Sequence, residues 1–185
     1  RLGEFEGDLA SWVKEVKFAR NATLGADLGR ALARQLSAAG LARERVCVVP
    51  IPMSRMERWV KGFDHACVIA EGVARGLGWR ATPLVRALTR RHGPSQRSMP
   101  SVTARERNVR RAFRVASGVD LSGWTVVLVD DVITTGATMR AASRALWPRQ
   151  RELRPAAIWA AAIGVTPDRR QARLGRPEHG AGGGV

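Results

Sequence analysis

The sequence predicts an α/β fold with a mainly parallel central sheet flanked by helices, and three observations predict it. Short apolar runs at 46–51, 126–129 and 156–163 are too brief for helices. They are apolar on both faces, as strands covered on two sides are. Between them, segments such as 63–77 repeat apolar residues at helical spacing. The two patterns alternate along 185 residues, the size of one domain with a single sheet-and-helix core.

Taken in order, residues 4–20 read as a first helix, with Leu9, Trp12, Val13, Val16 and Phe18 as its apolar stripe and Lys17-Phe18 as its end. Asn21 opens a second helix, in which Leu24, Leu28, Leu32 and Leu36 recur every fourth position and Gly40 is the stop. Residues 45–51 form the first core strand, closed by Pro52, which cannot donate to a ladder. The helix at 63–77 puts Ala66, Ile69, Ala70, Val73, Ala74 and Leu77 on one face, with Gly76 and Gly78 ending it. A strand is expected at 84–88. Residues 89–101, rich in Arg, Pro, Ser and Gly, have no means of packing a core. Thr103 followed by Glu106 is a capping box for a short basic helix at 103–110. Alternation returns at 112–115, leading into the strand that starts near Trp124, and 156–163 is the last strand. No segment repeats. The glycine-rich end from Arg169 reads as disordered, which gives a domain at 1–168 and a tail at 169–185.

The net charge of +15 is the loudest bulk feature. It fits a nucleic-acid partner or a polyanionic substrate, and equally the arginine- and alanine-rich usage of a GC-rich genome. Only Lys14, Lys17 and Lys61 are lysines among 31 basic residues. Aromatic residues do not interleave with the arginines, so no stacking platform for single strands is patterned. No apolar run approaches a membrane span and no signal peptide is visible, so a cytoplasmic location without membrane contact is expected. Arg1 is not an initiator methionine, which reads as a fragment. Cys47 and Cys67 fall within apolar patterns without metal-ligand spacing, and are expected to be buried thiols that form no disulfide.

Chemistry concentrates in Val126-Val-Leu-Val-Asp-Asp-Val-Ile-Thr-Thr-Gly-Ala-Thr138. Thr134, Thr135 and Gly136 stand where a strand ends and a helix begins, the usual ligand edge of an α/β sheet. Small residues there leave backbone N–H groups open to a phosphate. Asp130 and Asp131 would repel a phosphate but suit ribose hydroxyls, or a Mg²⁺ ion that neutralises a polyphosphate. The pattern as a whole asks for a sugar phosphate. The plainer reading is a strand end with two solvated aspartates and a hydroxyl cap. No Gly-Lys-Ser/Thr follows the glycine, which excludes a nucleotide P-loop.

At these residues the sequence resembles the type I phosphoribosyltransferases. The resemblance implies that fold, and it implies binding of 5-phosphoribosyl-1-pyrophosphate (PRPP). Asp130 and Asp131 would meet the ribose hydroxyls directly or through Mg²⁺, as catalytic and metal-binding residues. Thr134, Thr135, Gly136, Ala137 and Thr138 would hold the 5′-phosphate. A narrower likeness, to the competence protein F family, covers most of the chain. Its pyrophosphate-loop pattern is matched by the strand end at Pro52 and by Trp59-Val-Lys61-Gly62-Phe63, with Asp64-His65 standing where the family has Asn-Gln. Its mobile-loop pattern is matched by Arg90, Gln96, Arg105 or Arg107, Asn108 and Ala112-Phe113. Lys61, Arg90, Gln96, Arg105 and Arg107 are thereby expected around the polyphosphate. The four-cysteine zinc finger found in many members is missing from this chain. His65, at a helix start, is expected to be a surface residue. The resemblance implies a Mg²⁺-dependent displacement of pyrophosphate from ribose C1 by an unidentified nucleophile, a step of nucleotide metabolism. It equally implies an accessory role in DNA uptake, with single-stranded DNA or a competence-machinery protein as partner. In purine-salvage members an aspartate occupies the position of Thr134, so a 6-oxopurine substrate is not expected.

Overall fold

The computed structural model describes residues 1–41, 44–53, 62–78, 82–90, 112–148 and 150–166. The chain runs through β1 (Gly3–Glu4), α1 (Gly7–Phe18), α2 (Ala22–Ala38), β2 (Val46–Pro50) and α3 (His65–Gly78). It continues through β3 (Leu88–Arg90), β4 (Phe113–Val115), β5 (Thr125–Ile133), α4 (Ala137–Leu146), a 3-10 turn at Arg151–Leu153, and β6 (Ala157–Val165). One sheet takes the order β1-β6-β5-β2, and all its pairings are parallel. β3 and β4 form a separate antiparallel pair.

β5 is central because Val126, Val127, Leu128 and Val129 are apolar on both faces and wholly buried. Val127 and Val129 face a core built with Val13 and Val16 of α1, Leu28 and Leu32 of α2, and Ile69 and Val73 of α3. Val126 and Leu128 face a second core, with Met139, Ala142 and Leu146 of α4 and Leu88 and Phe113 of the antiparallel pair. Each such Val, Leu, Ile, Met or Phe side chain is worth roughly 1.5–3 kcal/mol when buried. The helices that follow β2 and β5 therefore lie on opposite faces of the sheet. Neighbouring strands whose chains depart to opposite sides open a crevice at their carboxyl ends.

Local chemistry explains the helix ends. Asn21 caps α2 by accepting from Leu24 N at 3.0 Å. At the other end Gly40 takes φ +86, with Gly40 N donating to Ser37 O and Leu41 N to Leu36 O, a Schellman closure. Asp64 caps α3 by accepting from Cys67 N at 3.1 Å, a task aspartate and asparagine share. Between α2 and α3 the backbones touch. A Cβ on Gly29 would lie 2.2 Å from the Ile69 carbonyl oxygen, and one on Gly72 would lie 2.2 Å from that of Ala26.

Several sequence expectations need correction. The first helix starts only at Gly7, because Gly3–Glu4 pairs with β6 instead. Of its stripe, Trp12 is 45% and Phe18 73% exposed, since Val13 and Val16 define the buried face and both aromatics flank it. Gly76 lies within α3 and ends nothing; its missing side chain makes room for Ala33. The strand expected at 84–88 shrinks to a single parallel bridge between Leu84 and Val48. Its pairing partner lies further on, so the ladder is Leu88–Arg90 against Phe113–Val115. Leu88 packs in the second core at the very edge of the arginine-rich stretch. The basic helix at 103–110, most of 89–101 and the tail at 169–185 lie outside the described residues. Among the described residues, no helix is long and apolar enough to cross a membrane.

Candidate functional site

β5 outruns β2. Pro50 pairs with Val129, and Ile51 N still donates to Val129 O at 2.8 Å, but the pairing stops there. Asp131 N turns instead to Asp130 Oδ1 at 2.9 Å, and Val132 N donates to Asp131 Oδ1 at 2.7 Å. With the β2 pairing ended, Asp131 N must find another acceptor, and a carboxylate supplies it. Each aspartate thus commits one oxygen to the backbone at the strand end.

The two carboxylates are not equivalent. Asp131 Oδ2 lies 2.5 Å from Lys17 Nζ, in the last turn of α1, and 3.1 Å from His65 Nε2, at the start of α3. The side chains of His65 and Asp131 are 9% and 8% exposed, whereas Lys17 is 29% exposed. Burial resists ionisation of Asp131, but its contacts with His65 and Lys17 outweigh that and hold its pKa well below the usual carboxylate range. Asp130 goes the other way. Burial, and then the charge of Asp131, push its carboxyl up to about 7. Two buried side-chain polar atoms lack a hydrogen bond among the described residues, His65 Nδ1 and Asp131 Oδ2. Oδ2 nonetheless lies against the Lys17 ammonium, so its close partner is a cation of the protein's own.

Past β5 the chain makes the turn that the glycine requires. Gly136 takes φ +70, and Thr134 and Thr135 are exposed on its approach. Thr135 Oγ1 accepts weakly from Ala137 N at 3.4 Å. The first bond of α4 is Arg140 N to Gly136 O at 2.9 Å. The N–H groups of Ala137, Thr138 and Met139 come before it, at the positive end of the helix. The Arg140 guanidinium folds back over this turn, close enough that a Cβ on Gly136 would sit 2.9 Å from its Nη1. A cation in the first turn of a helix opposes the helix dipole. It makes electrostatic sense if an anion joins it there.

The structure thus brings together Asp130, Asp131, Thr134, Thr135, Gly136, Ala137 and Thr138. Arg90 belongs to the antiparallel pair, where its guanidinium lies 5.9 Å from the centre of the Phe113 ring. Lys61, Gln96, Arg105 and Arg107 lie outside the described residues. Three neighbours of the site escaped the sequence reading: Lys17, His65 and Arg140. His65 is a correction, since it is buried against Asp131 and is no surface residue. Lys17 carried one signal, being one of three lysines among the 31 basic residues. Arg140 carried another, as a cation placed immediately after a phosphate-type turn.

Hard oxygen donors are what Mg²⁺ takes, usually through one or two carboxylates with the remaining positions left to substrate. Asp130 and Asp131 offer that set. The residues fit the ion. Both cysteines are free, with burial pushing the Cys47 thiol up to about 12 and the Cys67 thiol up as well. Neither is suited to act as a thiolate.

A family profile described as "Phosphoribosyl transferase domain" matches residues 21–176. DNA utilization protein YhgH of Salmonella typhi is 28% identical over 145 residues, and that of Escherichia coli strain K12 is 26% identical over 146. Both alignments take in 75% of this chain and 60% of the relative. Competence protein F of Haemophilus influenzae is 31% identical over 102 residues, 54% of this chain and 43% of that protein. The chain therefore spans about three-fifths of the length of the YhgH relatives it matches. A profile match over most of the chain, a parallel sheet and the Asp-Asp/Thr-Thr-Gly strand end agree, and the chain belongs to the phosphoribosyltransferase family, among its competence protein F-like members.

Proposed function

We propose that this protein binds PRPP with Mg²⁺ in the crevice at the carboxyl ends of β2 and β5, and transfers the phosphoribosyl group to a small nucleophile. The observation that carries the reading is the pairing of opposites at one strand end. Two carboxylates suited to hydroxyls stand next to the N-terminal turn of α4, topped by Arg140. A ribose 5-phosphate presents the matching pair of features.

In the reaction, the bond from ribose C1 to the pyrophosphate oxygen breaks, with its electron pair leaving on pyrophosphate. C1 passes through an oxocarbenium-like state and forms a bond to the nucleophile. This chain's residues contribute position and charge. Asp130 and Asp131 fix the ribose through its hydroxyls, and their negative charge favours the developing cation at C1. Thr134, Thr135, Gly136, Ala137 and Thr138, with Arg140, anchor the 5′-phosphate. Bound Mg²⁺, held on the carboxylate side, would neutralise the pyrophosphate. Lys61, Arg90, Gln96, Arg105 and Arg107 are proposed to close over the leaving group and exclude water. Calorimetry with Mg²⁺ and PRPP on the wild type and on Asp130→Asn/Asp131→Asn tests the site. Loss of binding in a folded double variant is expected, and unchanged affinity would refute the assignment.

A second reading is favoured by the charge of +15 and by relatives whose names refer to DNA utilization and competence. In it, the chain handles nucleic acid or a competence-machinery protein, and the ligand site is regulatory. Binding of single-stranded DNA would fall steeply with salt through counterion release, and would not need either aspartate. PRPP binding should fall less steeply and need both. Tight DNA binding without PRPP binding would reverse the order of the two readings.

A further inference from the structure

The donor atoms of His65, Asp130 and Asp131 lie within 4.8 Å of one another. His65 and Asp131 are both more than nine-tenths buried, and theirs are the two buried polar atoms without a hydrogen bond among the described residues. Unsatisfied polar atoms are rare in folded proteins and call for an explanation. Of the two, Asp131 Oδ2 faces the cluster, 3.1 Å from His65 Nε2, and a buried carboxylate oxygen beside a second carboxylate calls for a cation. The nearest cation is the protein's own. Lys17 Nζ sits 2.5 Å from Asp131 Oδ2, reaching in from α1.

We propose that His65, Asp130 and Asp131 form a three-donor site for a first-row transition-metal ion such as Mn²⁺, with the Lys17 ammonium as its internal competitor. The inference concerns which ion this chain prefers, and its metal arm stands whether or not PRPP is the ligand. An ion roughly 2.1 Å from each donor needs neighbouring donors about 3 Å apart. His65 Nε2 and Asp131 Oδ2 already meet that spacing at 3.1 Å. Asp130 offers a carboxylate oxygen within 4.8 Å of both. Carboxylates alone suit Mg²⁺, while adding an imidazole shifts preference towards Mn²⁺ and later ions, which accept nitrogen. The histidine is this chain's own departure, standing where the competence protein F pattern has glutamine. Lys17 lies outside the family match, which begins at residue 21.

The test uses Mn²⁺ on the whole chain without PRPP, read by electron paramagnetic resonance. Wild type should bind Mn²⁺ at least about tenfold more tightly than Mg²⁺ in competition, and pulsed spectra should show a coupled imidazole nitrogen. His65→Gln should lose that nitrogen signal and bind Mn²⁺ about tenfold or more weakly, since even outer-sphere partners are worth about 10- to 100-fold. Lys17→Met should bind roughly tenfold more tightly, because a competing positive charge is gone. Mn²⁺ binding without a nitrogen signal, or equal affinity in wild type, His65→Gln and Lys17→Met, overturns the proposal. Calorimetry with Mg²⁺ and PRPP is run in parallel. If PRPP fails to bind while the nitrogen signal is present, the phosphoribosyl reading falls and this inference stands.

Discussion

Replacing Arg140 by alanine should move stability and ligand affinity in opposite directions. The guanidinium lies over the first turn of α4, with Nη1 2.9 Å from where a Gly136 Cβ would be. Without ligand, that charge faces the positive end of a ten-residue helix. Its removal should stabilise the protein by about 0.3–1 kcal/mol, towards the lower figure because the residue is exposed. The gain should shrink with added salt, as an exposed electrostatic effect does. With a phosphate on the turn the sign reverses. One charge-assisted hydrogen bond lost is worth about 1.5–3 kcal/mol. That corresponds to a PRPP affinity roughly 10- to 150-fold weaker. Urea denaturation gives the first number and calorimetry with Mg²⁺ the second, on the same preparation. A variant that loses stability, or one that binds PRPP as wild type does, would refute the anion site at this turn.

Other expectations follow from the packing and the carboxylates. Gly72→Ala places a methyl 2.2 Å from the Ala26 carbonyl oxygen and must push α2 and α3 apart, so urea denaturation should show a loss of about 1–3 kcal/mol. Asp130 binds its proton more tightly folded than unfolded, so its contribution to stability is fullest below the ordinary carboxylate range and is lost as pH rises to about 7. The melting temperature should therefore drop between about pH 4 and pH 7, and Asp130→Asn should flatten that slope. Asp131 has the opposite sign: its contribution is present above the ordinary range and is lost only in strong acid, so Asp131→Asn should remove an acid-side loss. Hypoxanthine and guanine should not be turned over with PRPP, because Thr134 offers no base at neutral pH; turnover at ordinary enzymatic rates would contradict this.

How much of this was readable beforehand depended on whether a signal was local. β5 and its turn declare themselves because strand, acids, glycine and helix start are consecutive, and each step is fixed by neighbours in the chain. α2 was equally plain, with its leucines every fourth residue, an asparagine cap and a glycine stop. The contacts of Asp131 were not. Lys17 and His65 lie 114 and 66 positions before it, and only the parallel sheet carries them to one point. Nothing at His65 itself distinguishes a surface helix start from a buried partner. The short ladder of β3 and β4 was obscured for another reason. Arg90 and Arg114 look like loop residues, yet Leu88 and Phe113 supply the burial that pairs the strands.

The two residues of β1 look dispensable, and a boundary drawn at residue 21 would remove them together with α1. They are the outer rail of the sheet: Gly3 and Glu4 lie in register against Gly164 and Val165, with Leu2 N and Phe5 N donating to the same strand. Cutting there would leave β6 with bare donors and acceptors along an apolar flank, an invitation for another chain to pair with it. It would also strip the ammonium from Asp131. A shortened form would therefore be expected to self-associate and to misreport its ion affinity, two artefacts arising from one cut.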